Sequence, residues 1–319
     1  MIQLNFRFII SAAKIIKAHS LSFAAFMNIR LIFTPNKIRF GNLLPGLFSL
    51  SFLFCPGFSP ISFSQLFTGK VLSKSDESPI PYATIGVKGK NAGTVADLSG
   101  RFRMSFPRFV KRNDSIVISS IGFVSLKLPV ASVINSEVFI LEEEAKVLEP
   151  VSVISFIKKR SISSLRGESS FFRGWYSHKT GGEIGNIISI PHQGYKINKI
   201  FFKVDNMYDT CHIRLHIRKV ENSWPSSELL TEDIIIPIYK RSMIDGTSVF
   251  DLSKQNLVLS EKTLFIGFEV IDCSNSTKPP TSISFVGTDN GEYIFKSFSS
   301  SSWEKQNNFS IYFELGLQY

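Results

Sequence analysis

From residue 66 onward, apolar positions recur in short runs broken by Gly, Ser, Asn, Asp and Pro. Within the runs Val, Ile, Phe and Thr dominate, and apolar and polar residues tend to alternate, the signature of half-buried strands. In the first part of the chain this predicts strands over 69–72, 82–87, 93–96, 101–106, 115–119, 124–128 and 138–141. Asp97-Leu98-Ser99-Gly100 reads as a hairpin turn, because Asp97 can accept from its own downstream backbone and Gly100 tolerates positive φ. In the second part strands are expected over 184–190, 197–204, 211–220, 233–238, 248–252, 264–271, 282–286, 293–298 and 309–315. Asp289-Asn290-Gly291-Glu292 is expected to close a tight hairpin. Between the two parts, residues 154–170 are polar and basic, with Lys158-Lys159-Arg160 followed by Ser161, and read as a linker.

The pattern gives an all-β chain. It is organised as a targeting segment (1–64), a first β-sandwich (65–153), the linker (154–170) and a second sandwich (171–319). At 319 residues, with 44% hydrophobic and 19% charged side chains, the chain is long enough for two cores and too apolar for disorder. Its net charge of +10 is unevenly placed. Arg7, Lys14, Lys17, Arg30, Lys37 and Arg39 stand in residues 1–64 without a single Asp or Glu, which leaves the remainder only weakly basic. That dilution argues against nucleic acid as a partner.

The leading segment reads as an export signal. Met27 is the expected start, with Arg30, Lys37 and Arg39 as its basic region and 43–54 as its apolar region. Ser62 and Ser64 are the small residues before a cleavage at Gln65. The apolar run is short for a span, which needs about 20 residues, so no stable transmembrane span is expected in the mature chain. Phe54 before Cys55 disfavours lipidation there. The other two cysteines, Cys211 and Cys273, either form a bridge in an oxidising compartment or remain separate buried thiols.

Several landmarks of the first part occur in one order. They are Gly69-x-Val71, Pro81-Tyr82-Ala83-Thr84-Ile85, Gly93-Thr94-x-x-Asp97-x-x-Gly100-x-Phe102, and Ser119-x-Ile121-Gly122-Phe123. In these the segment resembles the carboxypeptidase regulatory-like family, which implies a seven-stranded transthyretin-like sandwich used in cell-envelope proteins and no peptidase activity of its own. Lys74 departs from the acidic residue common there. The second part is similar, through Leu229-Leu230-Thr231-Glu232, Phe250-Asp251-Leu252 and Gly267-Phe268-Glu269, to a jelly-roll-like sandwich that follows such domains in exported proteins of Gram-negative bacteria.

No catalytic, cofactor-binding or metal site emerges. His178, His192, His212 and His216 lack the carboxylate spacing of a zinc peptidase, and no nucleophile elbow or phosphate loop occurs. On the strand around residue 214, alternation puts His212, Arg214, His216 and Arg218 on one face and Ile213, Leu215 and Ile217 on the other. With the apolar set in the core, the His/Arg stripe is expected to face solvent. Its histidines would stand about 13 Å apart, too far to share a metal. Glu142-Glu143-Glu144 reads as a solvated cluster.

These readings point to a non-enzymatic, exported binding or scaffolding protein, periplasmic or outer-membrane-associated in a Gram-negative cell, whose partner is an envelope protein or a glycan. Besides an enzyme with an unrecognised site in the second sandwich, two alternatives remain open. One is an accessory or truncated relative of TonB-dependent transporters. The other is a carbohydrate binder in which Trp175, Trp224, Trp303, Tyr176 and Tyr293 form a stacking platform.

Overall fold

The computed structural model describes residues 66–145, 158–164, 171–176, 180–206, 210–239, 246–274 and 282–319, with backbone alone for 171–176, 206 and 282. The targeting segment with Met27 and Cys55, His178, and the side chains of Trp175 and Tyr176 lie outside the described residues. The regular structure among the described residues is almost entirely strand, as expected, with one four-residue helix at Val130–Val133 and one 3-10 turn at Ser253–Gln255.

The first seven strands are β1 (Leu66–Ser73), β2 (Thr84–Val87), β3 (Gly93–Val95), β4 (Arg101–Ser105), β5 (Ser115–Ser119), β6 (Leu126–Pro129) and β7 (Val138–Leu141). They form a three-stranded sheet in the order β4-β1-β7 and a four-stranded sheet in the order β3-β2-β5-β6. Their inward residues, among them Phe67, Val71, Ile85, Phe102, Ile116, Ile118 and Phe139, make one apolar cluster. Edge-on packing of Phe67 against Phe102 and Phe139, with ring centroids 4.9 and 5.6 Å apart, fills its centre.

The turn at Asp97 forms as the residues dictate: Asp97 Oδ1 accepts from the amides of Ser99 and Arg101 at 2.8 and 2.9 Å, and Gly100 takes φ +70°. It is not a hairpin, however. β3 and β4 belong to different sheets, so the turn carries the chain from one layer to the other. Turn chemistry is local, whereas pairing partners are chosen by which face must be buried.

The remaining strands are β8 (Lys159–Ser163), β9 (Phe171–Tyr176), β10 (Gly182–Ser189), β11 (Tyr195–Asn206), β12 (Thr210–Glu221), β13 (Trp224–Glu228), β14 (Ile234–Tyr239) and β15 (Thr247–Asp251), then β16 (Leu257–Leu259), β17 (Thr263–Ser274), β18 (Ser282–Thr288), β19 (Tyr293–Lys296), β20 (Glu304–Gln306), β21 (Ser310–Ile311) and β22 (Phe313–Gln318). A seven-stranded sheet runs β13-β12-β17-β10-β19-β20, with β14 also on β12. An eight-stranded sheet runs β21-β18-β11-β22-β8, with β15 and β16 on β11 and β9 on β18. Residues of both sheets line a second apolar cluster, including Ile184, Phe202, Leu215, Phe268, Phe285 and Phe313.

Two further elements differ from those expected. Lys159–Ser163, expected within a linker, pairs along β22 from Gln318 to Glu314 as an edge strand, since its backbone satisfies that edge while its basic side chains stay exposed. Asn290-Gly291 does not close a hairpin, because β18 and β19 belong to different sheets. A two-residue turn forms instead at Asn222 and Ser223, both at positive φ (51° and 64°), between the paired Glu221 and Trp224. Of the two states left open for Cys211 and Cys273 the bridge is the one formed: they are register partners on β12 and β17 and are joined as a disulfide.

Candidate functional site

The face of β12 opposite the core is the centre of the site. Alternation puts Cys211, Ile213, Leu215 and Ile217 in the core and His212, Arg214, His216 and Arg218 on the other face, as expected. At its centre that face does not meet solvent, though His212 and Arg218 at its ends are partly exposed. Arg214 is 2% and His216 4% exposed. The correction has a physical cause: neighbouring strands carry carboxylates in register, and the first sheets cover them.

One cross-strand row runs Arg214 (β12), Glu269 (β17), Glu183 (β10), Lys296 (β19). Arg214 donates through Nη1 to Glu269 Oε2 at 2.9 Å and engages Asp233 with Nε and Nη2, each at 3.1 Å. Lys296 Nζ and Arg218 hold Glu183 at 2.9 and 3.1 Å. Glu228, on the hairpin strand β13, accepts from the Ile217 amide at 3.0 Å and lies 2.7 Å from His216 Nδ1. His216 Nε2 is 2.9 Å from Glu269 Oε2. The next row passes through Gly267 and Gly185, register partners of one another. A Cβ on Gly267 would stand 2.4 Å from Glu183 Oε1, so the glycine makes the room in which the carboxylates lie flat across the sheet.

The groups set one another's titration. Burial alone would raise the Glu269 carboxyl, but the Arg214 charge and the His216 hydrogen bond reverse this and hold it at about 2. Burial is likewise overcome at Glu183 by Arg218, His216 and Lys296, and at Glu228 by Arg218 and His216, so both sit below the ordinary carboxylate range. Asp233 moves the other way, because burial outweighs Arg214. Burial also lowers the Lys296 ammonium, against the pull of Glu183. For His216, burial and Arg218 push down, while Glu183 and the hydrogen bonds to Glu228 and Glu269 push up and win. Glu183, Glu228 and Glu269 are therefore fixed as counter-ions rather than poised to move protons near neutrality.

What covers the cluster is the outer face of the four-stranded sheet. Strand β2 is buried on both sides: Ile85 and Val87 enter the first core, while Thr84 and Gly86 turn toward residues 298–301. Ser299 Oγ donates to Thr84 Oγ1 at 3.2 Å, Ser301 Oγ donates to the Lys90 carbonyl at 2.8 Å, and the Gly89 amide donates to Ser300 O at 2.8 Å. A Cβ on Gly122 would come within 2.8 Å of Thr231 O. Arg214 spans the contact, its Nη2 donating to the Tyr82 carbonyl at 2.5 Å. Tyr82 has φ 55°, a conformation disfavoured for a bulky residue, and in it the carbonyl meets the guanidinium. Between the sheets remains a cavity of about 250 Å³, lined by Thr84, Ser119 and Ser120 on one side and Arg214, His216 and Glu269 on the other.

The other residues singled out in the sequence lie apart from one another. His212 is 3.6 Å from Asp272, and His192 stacks on Tyr319 at 3.6 Å between ring centroids. Tyr293 is 1% exposed and cannot present a sugar-stacking surface. Trp303 packs edge-on against Phe265 with Lys296 Nζ 4.4 Å from its ring centre, while Trp224 stands exposed beside Lys305. Among the described residues no group of three or more His, Cys, Asp or Glu is placed to hold a metal ion, and no helix is long and apolar enough to cross a membrane.

Comparison with known proteins bears on the first sheets alone. Over 105 residues the chain is 33% identical to the TonB-dependent receptor SusC of Bacteroides thetaiotaomicron, a match that covers 32% of this chain and 10% of SusC. The chain thus spans about a tenth of that relative. Solved structures of infectious bursal disease virus, the Gx strain and the VP2 subviral particle, each align with 79% of this chain and 63% of theirs at 10% identity, with TM-scores of 0.27 and 0.28, too low to support any inference. Residues 67–153 match the CarboxypepD_reg-like domain, the family whose landmarks the sequence carries there.

Proposed function

We propose that the chain is an exported envelope protein that works by binding or scaffolding, with a regulatory-like domain over 65–153 and a second β domain that includes Lys159–Ser163 and runs to residue 319. The observation that carries this reading is the use made of the charged side chains. The buried cations and carboxylates of the β12 face are committed to one another and to joining two sheets, which suits a rigid platform. Similarity to SusC over the first sheets supports kinship with outer-membrane transporters, and with it a place at the outer membrane of a Gram-negative cell. The partner is then an envelope protein or a glycan.

The test is retention. The chain purified from the envelope of a Gram-negative host is immobilised and challenged with a glycan array and with solubilised outer membranes, while peptidase and glycosidase substrates are followed in parallel. Saturable retention of one glycan or one transporter, without turnover, is the expected result. Turnover that scales with protein and survives repurification would refute a binding role.

A further inference from the structure

The His216 imidazole faces a carboxylate oxygen from each of its nitrogens: Glu228 at 2.7 Å from Nδ1, and Glu269 at 2.9 Å from Nε2, with Glu183 at 3.8 Å behind it. A neutral imidazole has one N–H and would turn a lone pair toward one of those oxygens. The geometry is that of an imidazolium donating twice. Arg218 Nη2 also lies 2.9 Å from Nδ1, and that contact is repulsive in this state, so the carboxylates alone hold the proton in place.

Charge counting gives the consequence. The cations are Arg214, His216 and Arg218 on β12 and Lys296 on β19. The carboxylates are Glu183 on β10, Glu228 on β13, Asp233 before β14 and Glu269 on β17. With His216 protonated the two sets balance. Without that proton the cluster holds an uncompensated negative charge in a buried site, which costs several kcal/mol unless water reaches it. Among the described residues that line the cavity the facing side supplies no cation: it presents the Thr84, Ser119 and Ser120 hydroxyls, with the Tyr82 carbonyl on Arg214 and Glu144 adding another negative charge.

We propose that the contact between the four-stranded and seven-stranded sheets is a proton-dependent clamp, shut while His216 carries its second proton and loosened when it does not. Arg214 links the two events. It reaches across to Tyr82 and shares Glu269 with His216, so an imidazole that lets go of Glu269 frees the guanidinium's anchor. The cavity of about 250 Å³ is the way in for water, and Glu269 Oε1, buried without a partner among the described residues, borders it. Each side keeps its own apolar cluster, so parting the sheets unfolds neither. The remaining contacts across the joint include the hydrogen bonds of residues 299–301, close approaches at Gly86, Gly93, Gly122 and Gly181, Ile121 against the second cluster, and the Tyr82 ring beside His212.

Amide exchange on the full chain tests this. Protection of the Gly89 amide, which donates across the joint to Ser300 O, is followed from pH 6 to pH 10, corrected for the intrinsic dependence of exchange on hydroxide, with β11 and β22 as internal references. It should fall at least tenfold, reversibly, as the imidazole deprotonates, while β11 and β22 hold theirs. His216→Gln, neutral at every pH, should show the low protection throughout and no transition. A flat profile in the unmodified chain, or the same transition in His216→Gln, would overturn the proposal. Should that variant fail to fold, imidazole resonances of the unmodified chain decide the matter. His216 found neutral at pH 7, or titrating with no change at the Gly89 amide, overturns it just as firmly.

Discussion

Replacing Arg214 with Met separates a buried clamp from a solvated charged stripe. The side chain is 2% exposed and donates to Glu269 Oε2 at 2.9 Å, Asp233 Oδ2 at 3.1 Å and the Tyr82 carbonyl at 2.5 Å, with Nε at ion-pair distance, 3.1 Å, from Asp233 Oδ1. Removing one partner of a buried ion pair costs about 3–5 kcal/mol, because the charge left behind stays desolvated. Two features place Arg214→Met near the lower end. Glu269 retains His216, and Asp233 is 21% exposed, so water reaches the carboxylate that loses its partner. A loss of about 3 kcal/mol is expected from the urea midpoint at pH 8.

The sign of the pH dependence follows from the stranded carboxylates. In the unmodified chain Glu269 is depressed to about 2, so its pairing contributes stability above the ordinary carboxylate value that disappears as pH falls toward 2. Without Arg214 that depression shrinks, and the gap between variant and parent should narrow on going from pH 8 to pH 4. Adding Glu269→Gln to Arg214→Met should cost less than the two single changes together, with a coupling of about 1–3 kcal/mol. If Arg214→Met costs less than about 1 kcal/mol, the behaviour of an exposed pair, the stripe faces water and the reasoning fails.

Three further outcomes follow. The folded imidazole of His216 titrates above its ordinary value, so its contribution is complete below about pH 6.5 and fades as pH rises through the raised value; urea midpoints taken from pH 6 to pH 10 should decline in the parent and stay level in His216→Gln. Reducing the Cys211–Cys273 bridge, whose ends are 62 residues apart in sequence, should cost up to about 4 kcal/mol by loop-closure entropy, read as a lowered midpoint in reductant with two thiols newly titratable. Gly267→Ala would put a Cβ 2.4 Å from Glu183 Oε1 and should destabilise by about 1–3 kcal/mol, which equilibrium denaturation will register.

How much of this could be read from the chain differs from strand to strand. The alternation in Cys211-His212-Ile213-Arg214-Leu215-His216-Ile217 correctly sorts the two faces, because its period of two belongs to the backbone. Which faces meet water is a property of the partner strands. Glu183 and Glu269 are lone acids inside otherwise apolar runs, Gly-Glu-Ile-Gly and Gly-Phe-Glu-Val, and a lone charge in such a run is a sign of a buried counter-ion that could have been matched to the Arg stripe. Thr84 and Gly86 gave a fainter sign: on an outward face, small residues allow close approach, which only the loop at 298–301 reveals. The turns at Asp97 and Asn290 were legible as turns and misleading as hairpins, since a turn fixes chain direction and not the sheet that the next strand joins. Asn222-Ser223 escaped notice because a serine at positive φ has no strong sequence signature.

The central claim is that the outer face of β2 lies against the chain between β19 and β20, with the charged face of β12 shut in behind it. Ser299 Oγ and Thr84 Oγ1 are 3.2 Å apart, 215 residues from one another in sequence. A chain carrying Thr84→Cys and Ser299→Cys should therefore join these positions by a disulfide in air at neutral pH, seen by mass spectrometry as one linked peptide pair with Cys211–Cys273 intact. Two alkylatable thiols at 84 and 299 in the folded protein, with no linked peptide, would contradict the account.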